Sequence, residues 1–337
     1  MNERVNTEAG ETHMSQIDRR QVTALLGGGL LAPLAAPTIA KAQQPISIVV
    51  PYGSGGPVDT LIRAVAKGMS ETLHRPIVID NKPGGNGIVG SQYVAQGPKD
   101  GTVLLAGGTG PISLNVMLRK TLPYKLADFS SVALLSAAPL TLTVNAQTPV
   151  SDVKSFVAYA RSRSKPLFYA TLSPGSVTHL FGLMMSRAMQ FAATDVAYRS
   201  TPASIVDLLS GQCDLNFTTP SSLLEQARAG KLKILALSSQ QRLPTLPDIP
   251  TFAESGYPQL TASFWTALHA PAGTPPAIIT KLNEAANLAM KSPEIAKLME
   301  TENQVAEIGP PSLLDQQLTK DVALWGPVIK AQNIALD

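Results

Sequence analysis

Ile46-Ser47-Ile48-Val49-Val50-Pro51-Tyr52-Gly53-Ser54-Gly55-Gly56-Pro57-Val58-Asp59 decides the fold. A β-branched run stops at a proline, turns through closely spaced glycines and enters a segment in which Val58, Leu61, Ile62, Val65, Met69 and Leu73 form one apolar stripe. That is a strand handing over to an amphipathic helix, with Pro57 in the first turn, where its missing N–H costs nothing. The alternation continues with a strand at 77–79, a helix at 86–96 and a strand at 103–106. A second set follows Val153: a helix to residue 160, strand 167–170, helix 177–189, strand 195–197, helix 202–209, strand 215–217, helix 222–229 and strand 233–237. Alternating strands and helices predict an α/β protein with mostly parallel sheets flanked by helices. Two extended apolar stretches, 140–144 and 261–268, bracket the second set and are placed to carry the chain out to another lobe and back. Two lobes joined by two crossing strands are therefore expected, lobe 1 from 43–140 plus 267–337 and lobe 2 from 141–266. The helical remainder, 275–331, is expected to return to the first lobe.

With 44% apolar residues the chain can bury a real core, and 15% charged and 5% aromatic residues suggest neither a disordered tail nor an aromatic platform for nucleic acid. A net charge of +3 is too weak to argue for a nucleic-acid partner. Cys213 is the single cysteine, which excludes an internal disulfide and a thiolate zinc cluster. At the N-terminus, Arg19-Arg20 precede a weakly apolar run, 22–40, that ends in Ala40-Lys41-Ala42. This reads as a secretory signal over 1–42 and predicts a periplasmic chain. Gly27, Gly28, Gly29, Pro33 and Pro37 make the run a poor spanning helix. The paired arginines, modest hydrophobicity and Lys41 near the cleavage point fit twin-arginine export, Val22 and Thr23 after the pair fit it less well, and that route and general secretion stand equal. Glu3, Glu8 and Glu11 are out of place at the basic end of a signal, so the start is Met1 or Met14.

Candidate chemistry sits where strands meet helices. Tyr52, Gly53, Ser54, Gly55 and Gly56 form a loop whose backbone N–H groups lie at a helix N-terminus, a ready site for an anion. Ser173, Gly175, Ser176 and Thr178 form a corresponding loop in the second set, with hydroxyls as extra donors. Gly and Pro punctuate many strand–helix turns, but two such loops in corresponding positions point to binding. Lobes facing each other would pinch an anion between two helix N-termini. Thr109, Tyr198 and Arg199 fall around the same cleft, Arg199 either meeting a ligand's second polar end or remaining solvated. Asp59 belongs to the same site, where accepting loop N–H groups suits it better than facing an acid. Arg63 reads as its ion-pair partner, His179 as a helix-capping or cleft-edge residue, and Trp265 as hinge packing rather than a ligand stack.

Other signals carry less. Gly85-Asn86-Gly87-Ile88-Val89-Gly90 matches the dinucleotide fingerprint, yet it does not follow directly on a strand and lacks the distal acidic residue. Gly53-Ser54-Gly55 lacks the spacers of a hydrolase elbow. His74, His179 and His269 show no metal-ligand spacing and no serine–histidine–acid order. No catalytic residue, metal or cofactor is expected.

The same loops, with further stretches, carry a family resemblance over nearly the whole mature chain. They are 51–59 with Arg63, Asn81-Lys82-Pro83-Gly84-Gly85-Asn86-Gly87 with Gly90, Pro98-Lys99-Asp100-Gly101, and Ser173-Pro174-Gly175-Ser176 with His179-Leu180. Leu208-Leu209-Ser210-Gly211-Gln212 with Asp214, Pro247-Asp248-Ile249-Pro250-Thr251, Glu254-Ser255-Gly256-Tyr257-Pro258, and Trp265 with 270–275 complete the set. The sequence resembles the Bug family, extracytoplasmic receptors of tripartite tricarboxylate transporters. The resemblance implies a type II-like, two-lobed periplasmic binding protein whose hinged cleft captures a small carboxylate through both glycine-rich loops and delivers it to membrane subunits. A monomer is expected. The chain departs from the family pattern at 195–200, which usually has a proline before the tyrosine and lysine-glycine after it. The ligand class stays open among dicarboxylates, amino acids, aromatic acids and nicotinate-like rings. Two rival functions are a periplasmic enzyme using the same cleft and a cytoplasmic effector-binding regulator. The first lacks a nucleophile–base pair, and the second lacks a helix-turn-helix ahead of the lobes.

Overall fold

β1 (Ile46–Val50) has apolar side chains on both faces, and both faces are covered. Ile46, Ile48 and Val50 pack with Leu61, Ile62, Val65 and Met69 of α1 (Pro57–Leu73), while Val49 joins Val94, Trp265 and Leu314 on the other face. A strand buried on two sides is the mark of a sheet sandwiched between helices. The computed structural model describes residues 44–331 and 334–336. The expected signal, its cleavage point and the choice between Met1 and Met14 lie outside the described residues.

The chain continues through β2 (Ile77–Asn81), α2 (Ile88–Ala95), β3 (Val103–Gly108), a π turn (Thr109–Leu114), α3 (Asn115–Leu118) and the long β4 (Phe129–Pro139). It then makes β5 (Thr141–Asn145), α4 (Val153–Ser162), β6 (Leu167–Thr171), α5 (Val177–Met189), β7 (Ala193–Ala197), α6 (Thr201–Ser210), β8 (Leu215–Asn216), α7 (Leu224–Arg228) and β9 (Leu232–Leu237). It returns through β10 (Ser263–Pro271) and ends with α8 (Pro276–Met290), α9 (Pro293–Glu302), β11 (Val305–Ala306) and α10 (Pro311–Ala331).

These strands form two sheets, one ordered β11-β4-β10-β3-β1-β2 and the other β7-β6-β8-β5-β9. Both are mixed where mostly parallel sheets were expected. Strands linked through helices run parallel, β1 with β2 and β3, and β6 with β7 and β8. The strands at the crossings run the other way: β10 is antiparallel to β3 and β4, and β5 to β8 and β9. A chain that leaves one sheet and later re-enters it has no helical crossover to restore its direction. β10 pairs with β4 from Ser263 opposite Pro139 to Pro271 opposite Phe129.

The C-terminal helix departs from the expected return to the first lobe, because its apolar stripe serves two cores in succession. Leu313, Leu314 and Leu318 pack with Val49 and Trp265 beneath the first sheet. Further along, Leu324, Trp325, Val328 and Ile329 join Leu142, Phe156, Phe181 and Phe217 of the second.

Candidate functional site

The first loop is held open by its own helix. Gly55 takes the left-handed conformation (φ +83°), and its N–H donates to Asp59 Oδ2 at 2.9 Å. Asp59, buried at the third position of α1, also accepts from Arg63 Nε at 2.8 Å, Arg63 Nη2 at 3.1 Å and Asn81 Nδ2 at 2.8 Å. The Arg63 guanidinium, with help from the Gly55 and Asn81 donors, outweighs burial and holds this carboxyl at about 2. Its oxygens face the loop's framework. Arg63 and Asn81 extend the brace, Arg63 Nη2 reaching Asn81 Oδ1 at 3.1 Å and Asn81 Nδ2 reaching the Tyr52 carbonyl at 3.2 Å. At Gly53 and Gly55 a Cβ would meet nothing within 4 Å, so this backbone borders open space.

The second loop repeats the device with a different acceptor. Gly175 is also left-handed (φ +75°), and its N–H donates to His179 Nδ1 at 3.1 Å. His179 is the third residue of α5, as Asp59 is of α1. Ser176 caps α5, its Oγ accepting the His179 N–H at 3.3 Å and lying 3.2 Å from Thr178 Oγ1, while its own N–H donates to the Ser173 carbonyl at 3.1 Å. Burial pushes the His179 imidazole below its ordinary value, Asp195 opposing.

Both loops converge on the segment that follows β3. Tyr52 Oη and Asn86 Oδ1 lie 3.6 and 3.5 Å from where a Cβ of Gly110 would stand. On the other side, a Cβ at Gly175 would come within 2.8 Å of Leu118 Cδ1 and 2.6 Å of Leu336 Cδ1. Asn86 was not singled out from the sequence. It sits left-handed (φ 54°) after two glycines, and it is locked to Asn115 by Nδ2 to Oδ1 at 3.2 Å and by Asn115 Nδ2 to its carbonyl at 3.1 Å. The glycines that resembled a nucleotide fingerprint serve this close packing instead: a Cβ on Gly90 would lie 3.0 Å from Pro51 Cβ and 3.1 Å from the Lys82 carbonyl.

The remaining candidates divide. Thr109 is fully buried and its Oγ1 accepts the Trp265 N–H at 2.9 Å. Trp265 is buried too, its indole N–H donating to Asp321 Oδ2 at 2.8 Å, so neither ring face is free to stack. Tyr198 hangs from β6 by an N–H bond to the Thr171 carbonyl at 2.8 Å and donates its hydroxyl to Asp207 Oδ2 at 3.0 Å, and burial raises its phenol. Arg199 beside it is exposed, with no hydrogen bond or ion pair among the described residues. Burial likewise raises the Tyr52 phenol.

Chemically, this arrangement offers donors. Ser176 Oγ bonds the His179 backbone, and the ring Nδ1 is engaged by Gly175, so these two side chains form no nucleophile–base pair. Among the described residues no three His, Cys, Asp or Glu side chains gather to hold a metal. A cavity of about 770 Å³ between α5 and α10, lined by Leu183, Met184 and Val328, lies along later turns of α5, away from the loop donors.

Two α/β sheets with glycine-rich loops converging from strand ends define a two-lobed solute-binding protein. Residues 61–334 match the tripartite tricarboxylate transporter family receptor. The chain is 30% identical over 310 residues to Protein BugT of Bordetella pertussis, covering 91% of this chain and 94% of BugT. It is similar in structure to R. palustris Rpa4515 with adipate, at TM-score 0.75 and 30% identity over 87% of this chain and 98% of that one. It is also similar to MatC from Rhodopseudomonas palustris with bound malate, at TM-score 0.70 and 30% identity over 84% and 98%. The chain belongs to the tripartite tricarboxylate transporter receptor family, alongside the Bug proteins.

Proposed function

We propose that this chain captures a small carboxylate in the periplasm, in a cleft between its lobes, and delivers it to the membrane subunits of a tripartite tricarboxylate-type transporter. The observation that carries the reading is the matched pair of loops, each with a left-handed glycine tied to the third residue of a following helix and each leaving backbone donors at that helix's N-terminus. Donors so placed suit an anionic head group. The ligands named for Rpa4515 and MatC, adipate and malate, support the same chemistry here. In this reading Gly53, Ser54, Gly55 and Gly56 face Ser173, Gly175, Ser176 and Thr178 across the cleft, with Tyr52, Tyr198 and Arg199 on its walls and Asp59 and Thr109 behind it. The protein acts as a monomeric receptor rather than an enzyme, and among the described residues no helix is long and apolar enough to cross a membrane. Transport itself then falls to partners.

Calorimetry with malate, adipate and their methyl esters tests the reading. The acids should bind, and loss of one charge-assisted contact in an ester should weaken binding roughly tenfold to a hundredfold. A bound acid at a hundred times its dissociation constant should add about 2.7 kcal/mol of stability. Equal affinity for acid and ester overturns the carboxylate assignment, and turnover of the bound acid would make the protein an enzyme.

A further inference from the structure

The two ligand loops are closed by the same bond to chemically different acceptors. Gly55 N–H ends on the Asp59 carboxylate at 2.9 Å, and Gly175 N–H ends on a neutral imidazole nitrogen at 3.1 Å. A carboxylate of this kind accepts across the physiological range, whereas an imidazole accepts only while its nitrogen is unprotonated. Because Nδ1 receives a hydrogen bond, the ring carries its proton on Nε2. Proton uptake at Nδ1 would set two N–H groups against each other, and the Gly175 N–H would have to turn away. We propose that His179 is a positioning residue for ligand capture: as a neutral acceptor it holds the second loop in its receiving shape, and protonation of its ring releases Gly175 and weakens binding of acids. This rests on the reading of the two loops as the carboxylate site.

The surroundings fit that role. His179 is tied by its own backbone, its N–H to Ser176 Oγ and its carbonyl to Tyr169 Oη at 3.3 Å, so the ring is presented from a fixed base. Asp195 on β7 supplies the charge that favours ring protonation, and burial works against it. The π turn and α3 carry no ionisable side chain, the Tyr169 phenol of β6 meets the His179 carbonyl, and α10 carries Asp315, Lys320, Asp321 and Lys330. Leu118 and Leu336 wall Gly175 on the far side, which leaves the released loop little room to re-form elsewhere.

Amide and imidazole NMR titration of the wild-type protein tests this without a ligand. The Gly175 amide should shift with the His179 ring titration, and the Gly55 amide should stay fixed over the same range as an internal control. In His179→Asn, whose amide oxygen accepts without titrating, the Gly175 shift should become independent of pH. Calorimetry with malate and adipate should show His179→Leu binding about tenfold more weakly than His179→Asn at neutral pH. The wild type should lose affinity relative to His179→Asn on mild acidification, a comparison that cancels the titration of the acids themselves. A Gly175 amide indifferent to the ring, equal affinity of the Asn and Leu variants, or wild-type affinity that rises relative to Asn on acidification would each overturn the proposal. Binding of neither acid would count against the carboxylate reading, while the amide titration would still decide the role of His179.

Discussion

Gly55 and Gly175 share a backbone conformation but not an environment, and that difference sorts what a substitution does. At Gly55 an alanine methyl group meets nothing within 4 Å, so Gly55→Ala should cost only the left-handed strain, about 1 kcal/mol. At Gly175 the same methyl group would stand 2.6 Å from Leu336 Cδ1 and 2.8 Å from Leu118 Cδ1. Gly175→Ala should therefore cost about 2–4 kcal/mol, overpacking being added to strain. Urea unfolding of the two variants compares them directly, and equal losses would mean that Leu336 does not press on the second loop. Gly55→Val should cost more than Gly55→Ala, because a β-branched side chain is poorly tolerated in the left-handed region, and by raising that side chain into the open space it should also lose affinity for acids. Wild-type affinity in a folded Gly55→Val protein would remove the first loop from the site. Asp59 works on the same scale. Asp59→Ala removes the acceptor that the Gly55 N–H, Arg63 and Asn81 share, for a loss of about 1–3 kcal/mol by the same urea assay.

At the scale of elements, the strand–loop–helix units were legible because one signal, apolar periodicity broken by Gly or Pro, marks them locally. α5 (Val177–Met189) has the bounds its spacing gives, and α1 differs only by including Pro57. β4 (Phe129–Pro139) was missed because Phe129-Ser130-Ser131-Val132-Ala133-Leu134-Leu135-Ser136-Ala137-Ala138-Pro139 has neither a two-residue nor a helical period. Pairing with β10 on one side and β11 on the other makes it a strand, a cause outside its own sequence. At the site, Asp59 and Arg63 were readable as an i, i+4 pair on a helix, whereas Asn86 and Leu336 enter through contacts between distant segments. The division of α10 between two cores was invisible for the same reason. Its tether to the first lobe is a buried bond from the Trp265 indole to Asp321, which also accepts from Gln317 Nε2 at 2.9 Å. Asp321→Ala leaves the indole N–H without an acceptor and should cost about 1–3 kcal/mol by urea unfolding, whereas Asp321→Asn can keep the acceptor and should recover much of it. No recovery in Asn would indicate that α10 is held by its apolar face alone.

At the scale of the whole molecule, the stability of the fold should depend on pH through a buried histidine on β10. His269 lies on β10 between Phe129 and Trp265, ring centroids 6.0 and 6.3 Å away, and it is 1% exposed. Among the described residues neither ring nitrogen has a hydrogen-bond partner, and burial pushes the group from 6.5 down to about 3. An unfolded chain takes up a proton below 6.5 that the folded chain refuses, so stability is lost progressively as pH falls from 6.5 toward 3. The size of that shift corresponds to several kcal/mol at the acid end, a large part of a typical folding free energy. Asp59 cannot account for a loss above pH 3.8. Its carboxyl stabilises the fold above its ordinary 3.8, and that contribution disappears only as pH falls toward and through about 2. His269→Phe removes the titration while keeping an aromatic ring between Phe129 and Trp265. Urea unfolding from about pH 7.5 to about pH 4 should show the wild type losing stability faster than the variant, whatever the offset between them at neutral pH. Parallel pH profiles would mean that the buried ring finds a proton acceptor, and would remove His269 as the source of acid sensitivity.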